Sequence, residues 1–351
     1  MKIVLDAMGG DHAPQLVVDG AVQAAREWGT EIILVGQEGV VRAELAKHDT
    51  TGLSLSVVHA SEVVTMEEHT MAVKGKKDSS LVVGMRLVKE GQADAFASAG
   101  NSGAVLAAAI FGLGRIRGIA RPALASVYAA APGLCLLLDI GANADCTPEY
   151  LLQFAIMGDA YARKLLGIER PRIGIVSNGE EEDKGSMLVR ETYPLLKASD
   201  LNFVGNVEGK DIGRGLADVV VTDGMTGNVI IKLTEGLVSF LARFFKRQFT
   251  GGWLNKLALV LMIPGLIVAL PGLVLMLPAV GELRRRMDWR EFGGAPLLGV
   301  DGVVVIGHGR SDAKAIKNMI RAAQTAVQQD VVGTIKEELA RRGMDRRGSA
   351  A

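Results

Sequence analysis

The 351-residue chain sets 39 Lys and Arg against 39 Asp and Glu, so its formal net charge is zero and no global field recruits nucleic acid. Its length fits one large domain or two moderate ones, and a hydrophobic content of 49% is ample for a buried core. Two cysteines, Cys135 and Cys146, make no disulfide framework and point to a reducing compartment, and the N-terminus reaches Asp6 and Asp11 too early for a signal peptide.

Short runs rich in Val, Ile and Leu predict strands at KIVLDA, EIILVG, LSLSVV, AFASAG, ALASVYA, LCLLLDIG, RIGIVSN, LNFVGNV, DVVVTDG, GGAPLLGV and VVVIGHG. Amphipathic stretches predict helices between them, as at Gln15–Trp28 and Pro148–Gly167. A long helix is predicted over Thr226–Phe249 and a last one over Ser311–Arg342, before a frayed tail. Continuous apolar strands alternating with helices indicate an α/β fold of three layers, α/β/α, with a mostly parallel sheet.

Most of the strand runs end in Gly, Asn, Asp or Ser, and ligands of open α/β sheets bind beyond the carboxyl ends of the strands. The first run ends in Asp6-Ala7-Met8-Gly9-Gly10, where two glycines let the backbone approach a ligand closely; a tight turn is the plainer alternative. Ser98-Ala99-Gly100-Asn101-Ser102-Gly103 leads from a strand into an alanine-rich helix whose N-terminal amides suit an anion, or else simply cap a close-packed helix. Further strand-end loops carry Asp139 and Asn143, Asn178 and Lys184, Asp223 and Asn228, and His308. Lys184 beside a glycine-rich turn suits an anionic group. There is no Walker loop, no dinucleotide fingerprint, no nucleophile elbow and no zinc-type Cys/His cluster, so no metal ligands are assigned. Cys146 lacks a marked partner base and reads as a spectator thiol.

The stretch between Lys256 and Glu282 holds no charged residue. It is long enough to span a bilayer, but a single crossing would strand the last two sheet runs on the far side. Pro264, Pro271 and Pro278 break it every seven residues, and Trp253 and Trp289 flank it as interfacial aromatics do. A bent hairpin over 236–292 fits better, touching an anionic membrane through Trp253, Leu261, Leu266, Leu270, Leu275 and Trp289. An apolar dimer interface is the alternative use of the same surface.

The ordered motifs DAMGGDHAP, KKDSSL, SAGNSGA, RPALA, DIGAN, SNGEEEDKGS, VGNVEG, VTDGMTGN, EFGGAPLLG and GHGRSDAKAIKNMI resemble those of the PlsX family, the acyl-ACP:phosphate acyltransferases of bacterial phospholipid synthesis. The resemblance covers residues 1–326. It implies a fold like the phosphotransacylases and the isocitrate/isopropylmalate dehydrogenases, in one domain over 1–342 with the hairpin inserted and 343–351 as a flexible tail. It implies a cytoplasmic homodimer, peripheral to the inner face of the cell membrane. The implied partners are acyl carrier protein, inorganic phosphate and a downstream glycerol-3-phosphate acyltransferase, with no cofactor. Phosphate attacks the thioester directly, so the protein has to hold an anion and stabilise an oxyanion. On that basis Gly9, Gly10, Ser98, Gly100, Asn101, Ser102 and Gly103 are assigned to phosphate. Lys184, Asn228 and Asn143 are assigned to charge neutralisation and orientation, and Asp6, Asp139 and Asp223 to loop organisation. Lys184→Ala is expected to depress the chemical step by orders of magnitude. Two basic clusters are candidates for carrier docking, Lys74 with Lys76 and Lys77, and Arg115 with Arg117 and Arg121. A short-chain acyl-CoA phosphotransacylase, a dehydrogenase of the same broad fold and a non-catalytic scaffold for acyl carrier protein are the rival readings.

Overall fold

The computed structural model describes residues 1–130, 133–250, 252, 255, 261, 265, 272, 274–278, 281 and 288–345. Trp253, Leu266, Leu270 and the extreme C-terminal tail lie outside them. All eleven predicted runs form strands: β1 (Lys2–Asp6), β2 (Glu31–Gly36), β3 (Leu55–His59), β4 (Ala95–Ser98), β5 (Ala123–Ala129), β6 (Leu134–Leu138), β7 (Ile173–Val176), β8 (Phe203–Val207), β9 (Val219–Val221), β10 (Ala295–Leu298) and β11 (Val303–Ile306). They make one sheet in the order β3-β2-β1-β4-β11-β10-β5-β6-β9-β7-β8.

Helices cover both faces, which is why the strands read as unbroken apolar runs. Ile3 and Leu5 of β1 face one layer with Val17, Val18 and Met319, while Val4 faces the other with Leu81, Met85 and Phe96. A third core packs β6, β7 and β9 under the helix Pro148–Leu165, through Phe154, Ile156 and Met157.

The sheet is parallel within each half and antiparallel at its middle. β3, β2, β1, β4 and β11 run one way, and β6, β9, β7 and β8 run the other. Strands β10 and β5 make the reversal through three antiparallel pairings. The carboxyl ends of the two halves therefore lie at opposite edges of the sheet. The strand-end loops thus form two groups.

The last predicted helix is two. Ala313–Gln328 ends before Asp330, which takes a left-handed conformation (φ 47°) and caps Val331–Arg341 by accepting from the Gly333 amide at 3.1 Å. Neither Gly nor Pro marks this break. The second helix is tied down by charge. Glu338, only 9% exposed, accepts from Arg163 at 2.6 Å and Arg341 at 2.9 Å, and also from Arg342. These guanidinium partners outweigh the burial that opposes its charge and pull its carboxyl down to about 2 from an ordinary 4.5. A depressed acid stabilises the fold above its ordinary pKa and loses that contribution as pH falls toward its folded value. The gap in unfolding free energy between wild type and Glu338→Gln, measured by urea titration, should thus be full near neutrality, on the order of 3 kcal/mol, and close between pH 4.5 and about 2. A gap that does not change with pH would contradict this linkage.

Two units divide the chain: Met1–Gly227 with Trp289–Ala351, and Asn228–Asp288. The helix Gly224–Thr250 starts in the first and supplies most of the described residues of the second. In the second unit Val229, Leu233, Leu237, Phe240, Leu241 and Phe244 recur at helical spacing and are all exposed. Leu261 is 70% and Leu275 82% exposed. Among the described residues no helix is long and apolar enough to cross a membrane.

Candidate active site

At the edge formed by the carboxyl ends of β1, β4 and β11, three loops close on one another. Asp6 is buried and accepts from the Ser98 hydroxyl at 2.7 Å and the Met8 amide at 3.1 Å. Burial pushes its carboxyl up, against the pull of Ser80, Ser98 and the Met8 and Gly9 amides. The Ser98 hydroxyl in turn accepts from the Gly100 amide at 3.0 Å. Gly9 lies so close that a Cβ there would overlap the Asp6 carboxylate, the Ser98 hydroxyl and the Gly100 amide. Gly10 has φ 114°, and the next amide, of Asp11, donates to Gly309 at 2.8 Å, which draws in the loop of His308. Met71 donates to His69 Nδ1 at 3.2 Å, and both His69 and His308 are exposed.

Asn101 caps the helix Ser102–Gly112 by accepting from the Ala104 amide at 3.1 Å. Its Nδ2 donates to Met66 at 3.1 Å and Glu68 at 3.0 Å, so it also holds the preceding loop. The amides of Ser102 and Gly103, the first two of that helix, have no protein acceptor among the described residues. Ser102 is exposed, and the Thr70 hydroxyl stands against Gly103, 2.5 Å from where a Cβ would be. Thr70 escapes a sequence reading because it follows no strand and no glycine turn.

The opposite edge gathers the ends of β6, β9, β7 and β8. Asp139 is fully buried and accepts from five donors: the amides of Leu124, Gly141, Ala142 and Asn143 and the Asn143 side chain, at 2.7–3.1 Å. Burial nevertheless raises its carboxyl above the ordinary range. Asn143 spends both side-chain donors on Asp139 and on Pro122, at 2.9 and 2.8 Å. Asp223 caps the helix Gly224–Thr250 by accepting from the Thr226 amide and hydroxyl at 2.8 and 2.7 Å. Gly227 presses on the Asp139 carbonyl, where a Cβ would overlap it. Burial, reinforced by Asp139, pushes the Cys146 thiol up to about 12, so it stays protonated. Asn228 is the first residue of the second unit.

Lys184 is exposed on the loop after β7, its stem lying across Gly179, and its ammonium has no partner among the described residues. Beneath that loop two buried polar atoms, Ser177 Oγ and Asn206 Oδ1, also lack partners. Strands β4 and β7 are six positions apart in the sheet, or about 29 Å at about 4.8 Å per strand. Within one chain the glycine loops of the first edge and Lys184 do not meet. Among the described residues no group of His, Cys, Asp and Glu could hold a metal ion.

A reversed, mostly parallel sheet covered by helices is the phosphotransacylase type of scaffold. Phosphotransacetylases from Staphylococcus aureus (EutD) and Streptococcus pyogenes each superpose with a TM-score of 0.59, over 93% of this chain and 94% of theirs, at 16% and 19% identity. That likeness is one of fold. The sequence is more specific. A model of the fatty acid synthesis protein family matches residues 1–334. The phosphate acyltransferase of Herpetosiphon aurantiacus is 51% identical over 97% of this chain and 98% of its own length. That of Geobacter sulfurreducens is 46% identical over 97% and 94%. The chain belongs to this family, the PlsX family its motifs resemble, and is an acyltransferase.

Proposed function

We propose that the protein transfers a long-chain acyl group from the thioester of acyl carrier protein to inorganic phosphate, supplying acyl phosphate for phospholipid synthesis. The observation that carries this reading is the pair of unclaimed amides at Ser102 and Gly103, in the junction of three strand-end loops. Peptide N–H groups at a helix N-terminus bind a phosphate without needing a cation. The phosphate, held there with the Ser102 and Thr70 hydroxyls nearby, attacks the carbonyl carbon of the thioester. The tetrahedral intermediate collapses, the C–S bond breaks, and the carrier thiolate leaves and takes up a proton. No acyl-enzyme forms and no cofactor is required. Ser98, Gly100 and Asn101 act here by shaping the junction, because their donors are spent within it. Incubation with long-chain acyl carrier protein and phosphate, followed by hydroxylamine, should yield acyl hydroxamate. Absence of a phosphate-dependent product sinks the reading.

A second reading puts the chemistry at the other edge. The free ammonium of Lys184 above two orphaned buried polar atoms favours it, with Asn143 and Asn228 as orienting groups. Lys184→Ala separates the two: with phosphate at Ser102 and Gly103, turnover stays within about threefold of wild type, since an exposed, distant charge contributes little. A loss of orders of magnitude would move the reaction to Lys184.

The apolar stretch, with Trp253 and Trp289 at its ends and arginines beside it, fits a hairpin resting on an anionic inner membrane face, where a greasy, labile product could leave for a downstream glycerol-3-phosphate acyltransferase. The exposed stripe Leu233, Leu237, Phe240 and Phe244 fits a second copy of the chain. Deleting 253–289 should release the protein from anionic liposomes in a flotation assay; equal binding by the deletion variant would rule out contact through the hairpin.

A further inference from the structure

We infer that the groove beside Phe111 is the docking surface for the acidic carrier that brings the acyl group. The groove has an accessible volume of about 230 Å³ and is lined by Val73, Lys74, Lys77, Val82, Ala108 and Phe111, with Gly112 at its end. Phe111 is 56% exposed although it sits on a helix whose opposite face is core. A half-exposed aromatic ring in the wall of a small, largely apolar groove is what a partner's anchor residue buries.

The rim is cationic. Lys74 stands 4.7 Å above the Phe111 ring, and Lys77 lines the same groove. Neither has a carboxylate partner among the described residues, and no acidic residue lines the groove. Of the two basic clusters of the sequence, only the first contributes to this groove, and Arg117 and Arg121 are not among its lining residues. Lys76 is spent on Glu68 and on the Val63 carbonyl, at 2.7 and 2.6 Å, and Arg115 on the Ala120 carbonyl. The unspent lysines are the ones flanking Phe111. Unpaired cations around an apolar centre match a helix that presents carboxylates around an apolar residue, which is the surface of an acidic carrier.

Position supports the same occupant. Phe111 lies nine residues along the helix from Ser102, about 14 Å at about 1.5 Å per residue. A carrier seated at the groove would have its extended prosthetic arm running along this helix toward the Ser102 and Gly103 amides. This inference rests on the acyl-carrier reading above.

The test compares two donors for wild type and for Lys74→Glu/Lys77→Glu. One donor is the acyl carrier, the other the same acyl group on pantetheine alone. The double variant should lose about tenfold or more in kcat/KM with the carrier, through KM, and lose the salt dependence of that KM. With acyl-pantetheine it should match wild type. Carrier kinetics within about twofold of wild type, or an equal loss with both donors, overturn the docking surface. If wild type makes no acyl phosphate from either donor, the proposed reaction fails, and binding of fluorescently labelled carrier still decides the surface. Anisotropy showing weakened binding by the double variant upholds it, and equal binding overturns it.

Discussion

Gly9→Ala is expected to lower acyl-phosphate formation by on the order of 100-fold, because misplacing a site by about 1 Å costs that much. The added methyl has no room: it would overlap the Asp6 carboxylate, the Ser98 hydroxyl and the Gly100 amide at once. Asp6 and Ser98 are buried and bonded to each other, so neither can swing aside, and the Gly100 amide is main chain. The loop after β1 must therefore lift away from the loop after β4, and the helix start at Ser102 loses its fixed position. Ser102 and Gly103 themselves are unchanged, so the loss should appear mainly in kcat/phosphate KM, with the circular dichroism spectrum retained. A variant with wild-type phosphate kinetics would show that this junction does not hold the phosphate.

Asp139→Ala is expected to lower stability by on the order of 3–5 kcal/mol, read as a fall in the urea midpoint. Five donors converge on this one carboxylate, and removing it leaves the amides of Leu124, Gly141, Ala142 and Asn143 facing a hole. Asn143 also loses one of its two side-chain acceptors and with it the grip on Pro122 at the start of β5. Asp139→Asn keeps the shape and one acceptor oxygen, so it should retain part of the stability. An alanine variant as stable as wild type would mean that water replaces the carboxylate without cost.

The fold was legible because its strands are buried on both faces, so that each appears as a short apolar run with no polar alternation. Strand direction was not legible. Nothing in DIGAN or SAGNSGA says which way its strand points, and the reversal at β10 and β5 depends on pairings such as Leu297 with Leu124, far apart in sequence. The loops were legible through their glycines, but the work of their side chains was not. Ser98, Asn101 and Asn143 have the chemistry of ligand donors, yet they bond to Asp6, Met66 and Pro122, partners that only the tertiary fold brings near. The break at Asp330 was invisible for a similar reason: it uses a left-handed aspartate held by Gly333, without a helix breaker.

The reversed sheet also has a consequence for synthesis of the chain. Strands β6 to β9 are contiguous, from Leu134 to Val221, and make up the whole of one parallel half of the sheet. The other half is split: β4 pairs Ala95 with Val303 of β11, across the whole of that contiguous block and the apolar stretch after it. As the ribosome releases the polypeptide from its N-terminus, the later-numbered half of the sheet can be completed first, while β1 to β4 wait with one flank open for β11. The loops of Gly9 and Ser98 stand at the ends of two of those waiting strands, and His308 arrives only with β11, so the anion junction is among the last parts of the protein to take shape.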